Sequence, residues 1–211
     1  LVLSAVLYLP LCFFIWFYGA TLWVMPVRWL TELSLQMWQA DLFNGVVQNH
    51  YMFTVETLIF PAQQVAGHEG KIAVLDVQVN PMIYGYGLAV MGGLIASLPD
   101  LSWQKKTIQM AVAYVLIVLI QSFGSFWQTI KHLMFSGGAD AQNAIVETGI
   151  SADLVAAMYQ LSYLILPSVI PVVVWILMNR QFIESLVFDT DDEANVVDKS
   201  KNSDQSNNQS D

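Results

Sequence analysis

The run 108-IQMAVAYVLIVLIQSFGSFWQTI-130 decides the fold. It contains no Asp, Glu, Lys or Arg, and a helix needs about 20 mostly apolar residues to cross a bilayer. Its polar side chains gather towards one end. Gln121, Ser125, Gln128 and the following His132 fall at i, i+4, i+7 and i+11, on one helical face. Polar groups at such depth face a bundle interior or a wet cavity. Lys105 and Lys106 precede the run and Lys131 follows it.

Three further stretches have the same character. Leu1–Met25 is uncharged, with Pro10 inside it; Pro81–Leu98 is short and uncharged; Leu154–Met178 carries Pro167 and Pro171. Trp23, Trp29, Trp103, Trp127 and Trp175 suit an interfacial belt. The sequence therefore predicts an all-α membrane protein built as a four-transmembrane-helix bundle. Residues 1–25 form the first span and 81–178 hold the other three. Leu1–Met25 is read as a retained helix and not a signal peptide, because its apolar run is long and no A-x-A site follows. The sequence begins at Leu1, which leads us to expect a short piece before it.

Composition agrees. Hydrophobic residues make up 55% and charged residues 12% of 211, against about 25% charged in a soluble domain. That excludes a soluble enzyme domain and a disordered chain, and a net charge of −9 excludes a nucleic-acid binder with its basic face.

The segment 26–80 is too polar to cross. Leu30, Leu33 and Met37 repeat at helical spacing opposite Arg28, Glu32 and Gln36, which predicts an interfacial helix. Phe53–Phe60 and the alternating Leu75–Val79 predict a small hairpin-like, β-like insertion, with Pro61, Gly67 and Gly70 between them. The short loop with paired lysines places that side in the cytoplasm. Residues 26–80 and 131–153 then lie outside, and the acidic tail 179–211 lies in the cytoplasm, disordered from about Thr190.

The chemistry is sparse. The single Cys12 allows no intrachain disulfide and sits in an apolar run, where packing is the expected role. His50, His68 and His132 make no zinc-binding spacing. No metal, cofactor or nucleophile motif is present, so no catalytic residue is assigned. A polar groove is expected from Tyr84, Tyr86, Gln121, Ser125, Gln128, His132, Tyr159 and Gln160. Gly85, Ala89, Gly93 and Ser97, each four apart, form a small-residue ridge suited to close helix packing.

The run 80-NPMIYGYGLAVMGGLIASLP-99, a basic loop, an apolar span, an outer loop and 156-AAMYQLSYLILP-167 together resemble the core of the exosortases, bacterial inner-membrane enzymes that process anchored sorting signals. That resemblance implies a Cys, an Arg and a His at the outer helix ends. Here Ile83–Gly87 has no Cys, Gly124–Lys131 no Arg and Asp153–Tyr163 no His. The run 7-LYLPLCFFIWFYGATLWVMPVRWL-30, together with NPMIYGYGL, is similar to the exosortase H-associated membrane protein family, over roughly Leu7–Met178. The resemblance implies a non-catalytic accessory protein of the bacterial inner membrane. Its implied partners are membrane lipid and an exosortase-like protease or its anchored substrate; a homo-oligomer is a further expectation and nucleic acid is not. The alternative is a stand-alone membrane enzyme or lipid-binding envelope protein using the polar cleft of the third and fourth spans.

Overall fold

The computed structural model describes residues 2–60, 74–98 and 101–184. The chain is mostly helical with one small sheet. Helix α1 (Val2–Tyr18) ends before Gly19, a short α2 (Ala20–Trp23) follows, and α3 (Met25–Gln39) has Pro26 in its first turn. Strands β1 (Phe43–Asn49), β2 (Met52–Thr57) and β3 (Asp76–Val79) come next. A 3-10 turn (Pro81–Tyr84) leads into α4 (Gly87–Ser97) and then α5 (Trp103–Phe135). Helices α6 (Ala139–Glu147), α7 (Ala152–Gln160) and α8 (Leu166–Met178) complete the described chain, α7 and α8 being joined by a π-helical turn, Leu161–Ile165.

Among the described residues, two helices are long and apolar enough to cross a membrane: α5, at 33 residues, and the continuous Ala152–Met178, at 27. A third is reached if the pair Leu3–Tyr18 and Ala20–Gln39, bent by 73°, counts as one span. The expected spans at 1–25 and 81–98 are therefore shorter as helices than the sequence predicts. The chain turns at Gly19, and Pro26 starts a new helix. Around Gly85 the backbone winds as a 3-10 turn, so α4 has only 11 residues. It rises about 16 Å, roughly half the hydrocarbon thickness. It stops at Leu98, ahead of Pro99, as a residue before proline disfavours the helical region.

Helix α5 rises about 50 Å, well beyond a hydrocarbon core of about 30 Å. Its first half packs with α4, and its second half packs on the sheet, α6 and α7. There Ile130, Leu133 and Met134 meet Phe53, Val55, Val77 and Val79 of the sheet, Ala141 and Ile145 of α6, and Val155 of α7. Trp38 joins α3 to both neighbours, 6.2 Å from Phe43 and 5.7 Å edge-on to Phe126.

The sheet is antiparallel in the order β1-β2-β3, with Val46 opposite Val55 and Val55 opposite Val77. The expected hairpin strands correspond to β2 and β3, and β1 is an additional strand. Its free edge is covered by α3. Arg28 Nη1 donates to the Val46 carbonyl at 2.9 Å and Gln36 Nε2 to that of Asn44 at 3.2 Å, while Arg28 also pairs with Glu32 at 3.1 Å. The polar side of α3 thus closes a sheet edge. Its buried stripe is Val27, Thr31 and Leu35, continuing Val24. Leu33 and Met37 stay exposed, and Leu30 is partly buried against the core.

His50 sits in the tight β1–β2 turn at φ 56°, a backbone region few residues adopt. The π-helical turn precedes Pro167, whose missing N–H cannot serve the usual carbonyl. Beyond Val172, Asn179 Nδ2 donates to the Trp175 carbonyl at 2.9 Å and Arg180 pairs with Glu184 at 2.6 Å. The expectations for His68, for the Pro61–Gly70 link, for the start of the Pro99–Lys106 loop and for the tail from Thr190 lie outside the described residues.

Candidate functional site

The polar face of α5 meets the 3-10 turn. Gln121 is buried, and its Nε2 donates to the Pro81 carbonyl at 3.0 Å. Gly85 lies over that amide so closely that a Cβ there would collide with the Gln121 side chain. One helical turn on, Ser125 is fully buried and its hydroxyl has no hydrogen-bond partner among the described residues. Its carbonyl accepts from Thr129 Oγ1 at 2.9 Å. Two turns on, Gln128 Oε1 accepts from the hydroxyl of fully buried Tyr84 at 3.0 Å.

The turn is placed by its own start. Asn80 Oδ1 accepts from the Met82 amide at 3.1 Å, which caps the first turn, and Pro81 takes the first helical position. Tyr84 then points between α5 and the π-helical turn. Its ring meets Tyr163 edge-on at 6.4 Å, and Tyr163 stacks on Tyr159 at 5.9 Å and 10°. Lys131 Nζ sits 5.1 Å from the centre of the Tyr159 ring, a cation–π contact.

Six of the eight predicted groove residues lie along or next to this seam: Tyr84, Gln121, Ser125, Gln128, His132 and Tyr159. His132 is half-buried near the end of α5, where its carbonyl accepts from the Ser136 amide at 2.8 Å. Gln160 is exposed. Tyr86 opens elsewhere, onto a cleft it shares with Trp16, Tyr51 and Asn80.

The small-residue ridge meets partners within this chain. A Cβ on Gly93 would come within 3.0 Å of the Leu9 backbone in α1. Ala89 is buried, and Ser97 Oγ donates back to the Gly93 carbonyl at 2.6 Å. Gly87, between the ridge positions, lets Pro171 and the Pro167 carbonyl of α8 approach.

Sequence reasoning named Ser162 and Tyr163 as partners of this face on the fourth span but left Lys131 out of the site and did not foresee the π-helical turn. The i, i+4 spacing of Tyr159 and Tyr163, with Pro167 four further on, is the signal that marks this aromatic face. Among the described residues, no group of three or more His, Cys, Asp or Glu side chains is placed to hold a metal ion. Along the seam Tyr84 and Gln128 serve one another, Gln121 serves the Pro81 carbonyl, and the Ser125 hydroxyl has no partner among the described residues. Side-chain bonds of this kind hold packed helices together.

No curated protein and no solved structure matches the chain. The family whose description matches is the exosortase H-associated membrane protein, over residues 1–182. The match spans all of the described structure except its last two residues and agrees with the resemblance carried by NPMIYGYGL. This chain belongs to the exosortase H-associated membrane protein family.

Proposed function

We propose that the chain is a non-catalytic accessory protein of an exosortase-type sorting system in the bacterial inner membrane, docking beside the enzyme or its anchored substrate. The observation that carries this reading is how the seam spends its polar groups. Tyr84 serves Gln128 and Gln121 serves Pro81, so two of the best candidates for chemistry hold helices together. The family description names association with an exosortase.

The proposed topology has four passages. Residues 81–98 carry the chain from the sheet side to the Lys105–Lys106 side, and α5 returns it. Lys106 Nζ donates to the Ala96 carbonyl at 3.1 Å, closing that end. The lysine side is cytoplasmic in this reading and the sheet is extracytoplasmic. Docking then falls to the exposed apolar face of the fourth span, where Tyr163, Leu164, Ile165 and Val169 lie beside the tyrosine stack. The ridge from Gly85 to Ser97, with Leu9 and Gln121 already against it, holds this chain's own bundle.

The test is co-purification of the full chain with a co-expressed exosortase in mild detergent. Retention of the enzyme, and its loss on Leu164→Lys, supports the reading. Failure of the wild-type chain to retain either the enzyme or an anchored client overturns it. The alternative, a stand-alone enzyme or lipid-binding protein working through the seam, draws on the unpartnered Ser125 hydroxyl. It requires that Gln128→Ala abolish function, where an accessory protein loses little.

A further inference from the structure

The two edges of the sheet differ. Arg28 and Gln36 of α3 fill the β1 edge. Strand β3 forms the other edge, and among the described residues no hydrogen bond reaches its outer side.

Register decides which groups that edge presents. The Leu58 amide donates to the Leu42 carbonyl at 2.9 Å, on the β1 side of β2. Main-chain groups alternate sides along a strand. Thr54 and Glu56 therefore also bond towards β1, and Phe53 and Val55 towards β3. Their partners Val79 and Val77 spend their main-chain groups inside the sheet. Asp76 and Gln78 turn theirs outward, each with an N–H and a carbonyl in strand geometry. A row of this kind accepts one more strand. With only four residues in β3, it takes a short segment.

The side chains say what that segment carries. Asp76 stands directly opposite Glu56 on the neighbouring strand. Like charges so placed repel. Glu56 Oε2 accepts from Asn44 Nδ2 at 2.9 Å, whereas Asp76 is exposed and has no ion pair among the described residues. A basic side chain opposite Asp76 on an added strand offsets the repulsion. A second copy of β3 does not supply one, since its sequence is DVQV. A helix cannot use the edge either, because its main-chain groups are bonded internally.

We propose that the β3 edge binds an extended segment of a partner protein as an added antiparallel strand, with a lysine or arginine opposite Asp76. The N–H and carbonyl groups of Asp76 and Gln78 hold its backbone, and the Asp76 carboxylate selects its charge. The site takes nothing from the Tyr84–Gln128 seam and does not depend on docking at the fourth span.

The probe is the peptide SGTTVKTGS, blocked at both ends, titrated into the full chain in detergent and followed by saturation-transfer NMR. Four main-chain bonds correspond to a dissociation constant of about 1 mM. Gln78→Pro removes an outward donor and spares the bonds to β2, since proline is tolerated where the N–H faces away from the sheet. It should weaken binding about tenfold. N-methylation of the peptide lysine should do the same, and N-methylation of the valine, whose N–H points away, should change little. Exchanging the lysine for glutamate should weaken binding about fivefold, and Asp76→Lys should reverse that preference. No saturable signal from the wild-type chain overturns the proposal. Binding indifferent to the N-methyl position or to Asp76→Lys also overturns it. So does a wild-type dimer that Gln78→Pro disperses, which puts a second copy on the edge. Should Gln78→Pro fail to fold, the two N-methyl peptides and the exposed Asp76→Lys variant decide.

Discussion

The Tyr84 hydroxyl reaches Gln128 Oε1 across 44 positions of sequence, at 3.0 Å. This bond ties the 3-10 turn to the second half of α5. Tyr84→Phe removes the donor and leaves the Gln128 amide oxygen unserved. We expect a loss of about 1 kcal/mol in detergent-solubilised thermal unfolding. The double variant Tyr84→Phe, Gln128→Met should recover part of it, with a coupling energy of about 0.6 kcal/mol, the average for such bonds in membrane proteins. A cycle without coupling would show the bond to be incidental.

Neighbouring glycines on α4 should behave differently. At Gly93 an added Cβ meets the Leu9 backbone at 3.0 Å, which cannot yield without moving α1. At Gly92 it meets the Met110 Cε at 2.8 Å, the far end of a flexible side chain. Gly93→Ala is expected to cost about 1–3 kcal/mol and Gly92→Ala less. Unfolding curves of the two variants, side by side, check the ranking. Gly93→Leu should impair folding of the monomer itself, which size-exclusion recovery would register.

Arg28 connects a helix and a strand edge. Its Nη1 contacts both the Val46 carbonyl and Glu32. A partly exposed ion pair of this kind contributes little, so the carbonyl contact dominates. Arg28→Ala should cost about 1–2 kcal/mol, and Arg28→Lys should restore only part, because a single ammonium replaces a planar fork. Limited proteolysis within β1 gives the readout, with faster cleavage in Arg28→Ala. Glu32→Gln should leave the cleavage rate nearly unchanged.

Two buried hydroxyls, Thr31 Oγ1 and Ser125 Oγ, have no hydrogen-bond partner among the described residues. Burying such a group costs about 1–3 kcal/mol by mutational estimates. Thr31→Val and Ser125→Ala should therefore each raise the melting temperature. The pair also separates roles. Thr31 lies in the α3 core, whereas Ser125 lies in the seam, so a stabilised Ser125→Ala variant that no longer supports sorting would mark that hydroxyl as functional.

The seam was legible because its residues sit on one helix. Gln121, Ser125 and Gln128 share a face by spacing alone, and the structure puts them on one side of α5. Their partners were not legible, since Pro81 and Tyr84 lie about 40 residues away in sequence. Strand β1 was hidden by Asn44, Gly45, Gln48 and Asn49, which are not strand formers. Donors on α3 hold its edge, and that pairing is visible only in three dimensions. Helix α3 carries two apolar stripes at helical spacing. The sequence cannot rank Leu30, Leu33 and Met37 against Val27 and Leu35; packing of α3 on α5 and the sheet buries the second set. Lys131 and His132 read as the end of a span, yet the helix runs on to Phe135 because Leu133 and Met134 anchor it in the sheet core.

The π-helical turn at Leu161–Ile165 acts as a phase shifter. A π turn holds one residue more than the α-helix it interrupts, and one residue is worth about 100° of rotation. Upstream, the helix aims Tyr159 at the seam and the turn itself aims Tyr163 there; downstream, the helix aims Pro167 and Pro171 at the gap left by Gly87. As a plain α-helix the same five residues would turn the two prolines about 100° away from Gly87, so the wide turn absorbs the spare residue and keeps both alignments. A one-residue deletion within it should therefore be tolerated, because the turn can close to a regular α-helix with both flanks still in phase.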